Sequence, residues 1–259
     1  MKSAERQRII VERVRSSDRV SVTELAETIG TSEMTIRRDL DLLAAEGVLR
    51  RVHGGAVLAS PSGLEPPFAA RATASTTAKK AIAAATAELI HDGETIVLDS
   101  GTTALEVAHL LRGRPVTVMP LSMHAAQVLF DAPKVRLILP GGEPRPGELA
   151  MVGPLTLAAL KALRFDVAVL SPCGFSLGAG MTAHDLGDAA VKQTAFEVSD
   201  RSIVMADGAK WDRTALAVVC AADRPDVLVT DPSAPADQRA ALTELGVHVV
   251  TTAEEGTAA

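Results

Sequence analysis

The stretch from 32 to 57, SEMTIRRDLDLLAAEGVLRRVHGGAV, constrains this chain more than any other part of it. At 3.6 residues per turn, Ile36, Leu40 and Leu43 share one face of a helix. Met34, Arg38, Asp41 and Ala45 fall opposite, with Thr35 and Arg37 on the flanks. Ser32 suits the N-cap, Glu33 suits the positive end of the helix dipole, and Gly47 stops the helix. A helix with one apolar stripe must pack on other helices. One that also presents Thr and two Arg near its N-terminal end suits a DNA major groove. The following piece, VLRRVH, alternates apolar and basic residues before Gly54 and Gly55. That pattern predicts a small β-wing laying Arg50, Arg51 and His53 along phosphates.

The segment upstream completes the unit. Residues 3–16 read as a helix with Ile9, Ile10 and Val14 apolar, broken at Ser16, Ser17 and Asp18. A second short helix runs from about 23 to 29, with Leu25, Ala26 and Ile29 inward and Gly30 at its end. Helix, Gly-containing turn, helix is the signature of a helix-turn-helix. Either arginine pair, 37–38 or 50–51, taken alone suits a solvated charged face equally well. The helix, turn and wing in register favour DNA.

The segments TELAETIG, SEMTIRRDL and EGVLRRVHGGA resemble the N-terminal domain of the DeoR family of bacterial transcriptional regulators, over about residues 3–58. Asp18 and Arg19 stand before Val20 where that family commonly has Gly, which touches only the turn into the second helix. The resemblance implies that Ser32, Thr35, Arg37, Arg38, Arg50, Arg51 and His53 contact double-stranded operator DNA.

Charge looks wrong for a DNA binder until it is divided. The net charge is −6, but residues 1–58 hold ten Lys/Arg and nine Asp/Glu. The acidic excess therefore belongs to the rest of the chain, which should not touch DNA. The N-terminal piece is not a polybasic clamp, and its affinity should come from a few placed arginines doubled by dimerisation. With one Trp and no Tyr there are no aromatic platforms for single strands. Cys173 and Cys220 are far apart and outside any metal-ligand spacing, so neither structural zinc nor another metal or cofactor is expected. No signal peptide and no membrane-spanning run is legible, which predicts a cytoplasmic protein.

A Pro, Ser and Gly-rich linker is expected at 59–67, and at 259 residues the chain has room for a second domain over 68–255. There the pattern changes. A long Ala-rich helix (about 68–91) leads into short apolar runs alternating with helices, at 95–99, 116–119, 135–139, 166–170, 202–207, 216–220, 226–230 and 247–251. This predicts α/β architecture with a largely parallel sheet. Ligands of such sheets bind beyond the carboxyl ends of the strands. The loop Asp99, Ser100, Gly101, Thr102, Thr103 lies there, ahead of a helix. Its small residues and hydroxyls suit an anion at the helix N-terminus, and they suit a simple helix cap as well. Further loops carry Gly141 and Gly142 with Arg145, Pro172 to Gly174, and Asp207 to Lys210. Asp188 and Lys192 sit on one predicted helix; Lys192 and Lys210 taken singly read as surface lysines.

The resemblance to the DeoR family continues to about residue 235, through RATASTTAKKAIAAATAELIHDGETIVLDSGTT and FDVAVLSPCGFSLGAGMTAHDLGDAAVKQTAFEVSDRSIVMADGAKW. It implies a sensor domain similar in fold to ribose-5-phosphate isomerase, and a phosphorylated sugar or related metabolite as effector. Asp99, Ser100, Gly101, Thr102 and Thr103 would hold the phosphate end, with Gly174, Lys192, Asp207 and Lys210 around the sugar. Pro120, Leu121 and Ser122 replace the family's usual Thr-Asn-Ser, and Asp188 replaces a Glu, both pointing to an altered effector.

The resulting expectation is a repressor of carbohydrate-metabolism genes, relieved by its effector and assembled as a homodimer or homotetramer. The alternative is a sugar-phosphate isomerase-like enzyme with a DNA-binding appendage. Such an enzyme would need a carboxylate base and an oxyanion partner from among Asp99, Asp185, Asp188, Asp207 and Lys192. The leading reading assigns no catalytic residue.

Overall fold

The computed structural model describes residues 3–17, 19–45, 49–52, 54–58 and 65–253. Contacts divide the chain into two compact units, 1–64 and 65–259. The first unit contains α1 (Ser3–Ser16), β1 (Val20–Ser21), α2 (Val22–Ile29), α3 (Glu33–Ala45), β2 (Leu49–Val52) and β3 (Gly55–Leu58). Ile10, Val14, Leu25, Ile36, Leu40, Leu43 and Leu49 close its core, so the stripe read at 3.6-residue spacing is the buried face of α3. Ser21 caps α2 by accepting from Glu24 N at 3.0 Å, and Gly30 closes it at φ 69°. Helices α1 and α3 are joined by Asp39, buried on α3, which takes the Arg6 guanidinium of α1.

The wing is a three-stranded antiparallel sheet in the order β1-β3-β2. Its first strand, at 20–21, had been read as part of the turn, because a two-residue strand has no alternation to show. Gly54 and the expected stop of α3 fall differently: Gly54 turns at φ 73°, whereas Gly47 lies outside the described residues.

The second unit begins with α4 (Phe68–Thr73), α5 (Thr76–Glu88), β4 (Thr95–Leu98), α6 (Thr102–Leu111), β5 (Thr117–Pro120), α7 (Met123–Leu129) and β6 (Arg136–Leu137). A two-stranded hairpin, β7 (Glu143–Pro144) and β8 (Met151–Val152), precedes α8 (Pro154–Lys161) and β9 (Phe165–Leu170). Then come β10 (Gly174–Ser176), β11 (Gly180–Ala183), α9 (Leu186–Glu197), β12 (Ser199–Met205) and β13 (Ala217–Cys220). The unit ends with β14 (Val227–Thr230), α10 (Ala236–Glu244) and β15 (His248–Thr251). Seven strands form one parallel sheet in the order β15-β14-β12-β9-β4-β5-β6. Two apolar clusters are built on its strands. One centres on Leu160, Phe165 and Phe196, the other on Ile82, Val107 and Leu111.

Three readings change in the structure. The Ala-rich helix is two helices, broken where Ser75 adopts φ 51°. Lys79 of α5 folds back there, its ammonium donating to the carbonyls of Arg71 and Ala74. The strand at 216–220 leaves the parallel sheet and pairs antiparallel with β11, in a small sheet ordered β10-β11-β13. Its burial alternates, with Leu216 and Val218 exposed, which a continuous apolar run conceals. Glu65, read as linker, is held in the second unit by Arg71 and Arg145.

Gly55 is where the wing meets its neighbour most closely: a Cβ there would lie 2.0 Å from the Val20 carbonyl oxygen. Gly55→Ala should force β1 and β3 apart and destabilise the first unit by about 1–3 kcal/mol. A thermal melt of the variant indistinguishable from wild type would show that this close approach is not required.

Candidate functional site

Two sets of residues concern function, one in each unit. In the first, the N-terminus of α3 is organised by short-range hydrogen bonds. The Ser32 hydroxyl accepts from Thr35 N at 3.3 Å and lies 2.9 Å from the Thr35 hydroxyl. Thr23 of α2 donates to Glu33 at 2.8 Å, and Arg37 pairs with the same carboxylate at 3.1 Å. Those two hydrogen bonds, from Thr23 and then Arg37, hold the Glu33 carboxyl below its usual range. Arg38 is exposed and carries no ion pair among the described residues. Arg51, expected along phosphates, instead turns its Nε to Asp41 of α3 at 3.0 Å, tying the wing to that helix. Arg50 pairs opposite Val57 in the wing, and its side chain and all of His53 lie outside the described residues.

The second set lies where the parallel sheet reverses its winding. From β4 the chain moves outward to β5 and β6, then returns to β9 on the other side of β4. The carboxyl ends of β4, β9 and β12 therefore surround one crevice, the place where such sheets take ligands. There a narrow cleft, partly open to solvent, is lined by residues 100–103, 171–173 and Asp207, together with Glu65, Arg71, Asp188, Lys192, Met205 and Lys210.

The floor is a charge triad. Asp99 follows β4 and is 1% exposed; Lys192 of α9 is 2% exposed and donates to it. One turn earlier on α9, Asp188 contacts the same ammonium at 3.2 Å. The other Asp99 oxygen accepts from Ser171 N at 2.7 Å, fastening the tip of β9. Burial opposes the Lys192 charge, but Asp188 and Asp99 outweigh it and hold the ammonium protonated above its usual range. Burial also pushes the Asp99 carboxyl up, against the pull of Lys192.

Above the triad the N-terminus of α6 is open. Its N-cap, Gly101, sits at φ 107° with no side-chain cap hydrogen bond. The first backbone N–H groups of α6 are thus unclaimed by a side chain, which is the condition for anion binding. A Cβ on Gly101 would face Arg71 Nη1 at 3.8 Å, so a guanidinium stands beside that helix end. Across the cleft, Asp207 accepts from Ala209 N at 3.0 Å, while Gly208 N donates to Asp231 at 2.7 Å. These bonds fix the turn that presents Lys210. Trp211, next in sequence, is buried and donates to Thr230 at 3.2 Å.

The structure brings together Ser100, Gly101, Thr102, Thr103, Lys192, Asp207 and Lys210 around the cleft, with Asp99 beneath them. Gly174 is elsewhere: it packs where a Cβ would meet the Arg213 carbonyl oxygen at 2.5 Å, and it does not line the cleft. Sequence reasoning missed Glu65 and Arg71. Arg71 pairs with Glu65 at 3.3 Å and with Glu148, and Glu65 also pairs with Arg145. Burial pushes Glu65 up, but the Arg145 hydrogen bond and both guanidinium charges outweigh it and hold the carboxyl below its usual range. Burial pushes Glu148 up and pushes the Cys173 thiol up, which leaves that cleft cysteine a poor nucleophile. Among the described residues no cluster of three His, Cys, Asp or Glu is placed to hold a metal, and no helix is long and apolar enough to cross a membrane.

Lys192→Met should leave two buried carboxylates without their cation, which costs about 3–5 kcal/mol. Without Lys192 the Asp99 carboxyl, already raised by burial, rises further above its unfolded value. Such a group takes up a proton on folding, so stability increases as pH falls. The deficit against wild type, measured by urea unfolding between about pH 8 and pH 5, should shrink on acidification. A deficit that widens would contradict the charge assignment.

Comparison with known proteins assigns a family to both units. Residues 6–62 match the DeoR-like helix-turn-helix domain, and residues 74–232 match the DeoR C-terminal sensor domain. The glycerol-3-phosphate regulon repressor of Escherichia coli (strain K12) is 32% identical over 245 residues, spanning 94% of this chain and 97% of that protein. The transcriptional repressor AccR of Agrobacterium fabrum is 34% identical over 229 residues, spanning 88% and 89%. The L-fucose operon activator of Haemophilus influenzae is 31% identical over 230 residues, spanning 89% and 92%. Ribose 5-phosphate isomerase A of Methanocaldococcus jannaschii overlaps more loosely, at TM-score 0.39 and 16% identity over 51% of this chain and 53% of that one. With a helix-turn-helix unit, a sensor unit and full-length relatives of both kinds of regulator, the chain belongs to the DeoR family of DNA-binding transcriptional regulators.

Proposed function

We propose that the first unit reads duplex operator DNA through Ser32, Thr35, Arg37 and Arg38, and that the second binds a phosphorylated sugar or related metabolite that relieves repression. The observation that carries the effector reading is the open N-terminus of α6 at the sheet's switch point, flanked by Arg71 and Lys192. A phosphate there accepts from backbone N–H groups and lies beside the Arg71 guanidinium, for which it competes with the carboxylates already paired to it. The sugar hydroxyls then reach Asp207, Lys210 and the Asp188 edge of the triad. The regulator works in the cytoplasm, as a homodimer or homotetramer whose paired first units double the arginine contacts.

The isomerase alternative needs a carboxylate base at liberty to reach a substrate C–H bond. Asp99 and Asp188 are committed to Lys192, Asp185 caps α9 by accepting from Asp188 N at 2.9 Å, and Asp207 holds Ala209 N. These commitments favour sensing over turnover. Incubation with pentose and hexose phosphates should raise the melting temperature by mass action without converting any of them; turnover above background would reverse the assignment.

Arg38→Ala should weaken specific operator binding by about 1–3 kcal/mol per site with the fold intact. A mobility shift equal to that of wild type would remove α3 from the groove. Thr102→Asp puts a fixed negative charge at the first position of α6, where a helix tolerates it and a phosphate does not. That variant should bind operator normally and ignore the effector. Wild-type effector affinity in calorimetry would displace the phosphate from this loop.

A further inference from the structure

The helix that carries Arg71 is held mainly by charged and polar contacts. No residue of α4 is buried. Its attachments are the Arg71 ion pairs to Glu65 and Glu148, a stack of Phe68 on His124 with ring centres 4.1 Å apart, and the Lys79 ammonium on the Arg71 and Ala74 carbonyls. Within the segment, Arg71 Nε also donates to the Pro66 carbonyl at 3.0 Å. α4 is therefore docked mainly by charge rather than by apolar burial, and ionic docking responds to an added ion far more than a packed core does. Glu65 is the first residue of the second unit. Its side chain is only 13% exposed, it pairs with Arg71 and Arg145, and it lines the same cleft as the open end of α6. Arg71 thus stands between two kinds of negative charge: two carboxylates that occupy it now and the position where a phosphate would sit.

We propose that Glu65 is a built-in competitor for the effector phosphate. An anion at the N-terminus of α6 draws the Arg71 guanidinium toward itself, weakens the Arg71–Glu65 pair, and loosens the chain at the point where it enters the second unit. Glu148 also pairs with Arg71, but it lies in the loop between β7 and β8, far along the chain from residue 64. Only Glu65 combines the ion pair with the start of the unit. The coupling is one of occupancy: phosphate and Glu65 cannot both take Arg71 fully, so each lowers the affinity of the other. This inference rests on the phosphate reading of the α6 end.

The test uses the full chain and inorganic phosphate as the probe. Binding is followed by the fluorescence of Trp211, the chain's one tryptophan, which adjoins Lys210 of the cleft. Hydrogen exchange is followed over residues 65–73 with and without saturating phosphate. In wild type, phosphate should speed exchange of the α4 amides. Glu65→Gln should bind phosphate about three- to fivefold more tightly, and its α4 amides should exchange fast from the outset, unchanged by phosphate. Glu148→Gln should also bind phosphate more tightly but retain the phosphate-dependent change, which guards against a variant that merely folds poorly. Wild-type α4 exchange that phosphate slows or leaves alone would overturn the competition even if Glu65→Gln binds more tightly, because removing any nearby negative charge strengthens anion binding. Equal affinity in wild type and Glu65→Gln would overturn it too. If wild type binds neither inorganic phosphate nor any phosphorylated sugar, the phosphate reading falls and the inference with it.

Discussion

One buried ammonium holds the second unit's crevice together. Lys192 bonds to Asp99, 93 residues earlier in the chain, and to Asp188 one turn back on its own helix. Asp99 in turn fixes Ser171 N at the tip of β9. Three elements that share no local sequence thus meet at the point where the sheet's winding reverses. Charges this deep are expensive to desolvate, and an apolar triad of similar volume would commonly be as stable or more so. What the triad supplies instead is registry and polarity: it sets where the loop after β4 ends and α6 begins. It also leaves two carboxylates sharing one cation, so the floor of the cleft is not a place for a phosphate.

That end is prepared by what it lacks as well as by what surrounds it. Most helices gain from a capping side chain, yet Gly101 offers none and adopts φ 107°, where an L side chain would be strained. Thr102 and Thr103 are buried at the first turn. Meanwhile the guanidinium beside it is already neutralised by carboxylates. The guanidinium and the unclaimed N–H groups are adjacent without a protein anion joining them.

Much of this was legible in the sequence for a simple reason. In a parallel sheet all strands end on the same edge, so loops that follow apolar runs converge whatever their separation. Ser100 to Thr103, Asp207 and Lys210 could be placed together on that basis, and the apolar stripe of α3 followed from period alone. Gly174 was misplaced because a glycine marks a close approach without saying to what; here the partner is the Arg213 backbone. The Arg71–Glu148 and Arg145–Glu65 pairs left no trace, since ion pairs spanning 77 and 80 residues have no local pattern, and the Arg71–Glu65 pair, six residues apart, fell across the expected linker boundary. The break at Ser75 was equally silent, because no Gly or Pro marks it and the lysine that bonds the carbonyls there, Lys79, reads as one more polar residue of an Ala-rich helix. Asp39 stood inside a motif that seemed to concern DNA, whereas its carboxylate clamps α1 to α3.

The first unit's charges explain why the second unit's entry point matters. Of the arginines read as DNA contacts, Arg37 is shared with Glu33 and Arg51 with Asp41. A unit with nearly balanced charge and committed arginines gains little from bulk electrostatics. On the proposed reading, its binding depends on geometry, on the pose in which Arg38 and the Ser32–Thr35 hydroxyls meet the groove. Geometry of that kind is sensitive to how firmly the chain is held where it leaves one unit for the other. A strongly basic domain would bind in many poses and ignore such a signal; a nearly neutral one cannot. The nearly balanced charge of the first unit and the ionic docking of α4 are two independent features, one in each unit, in which arginines are held mainly by carboxylates.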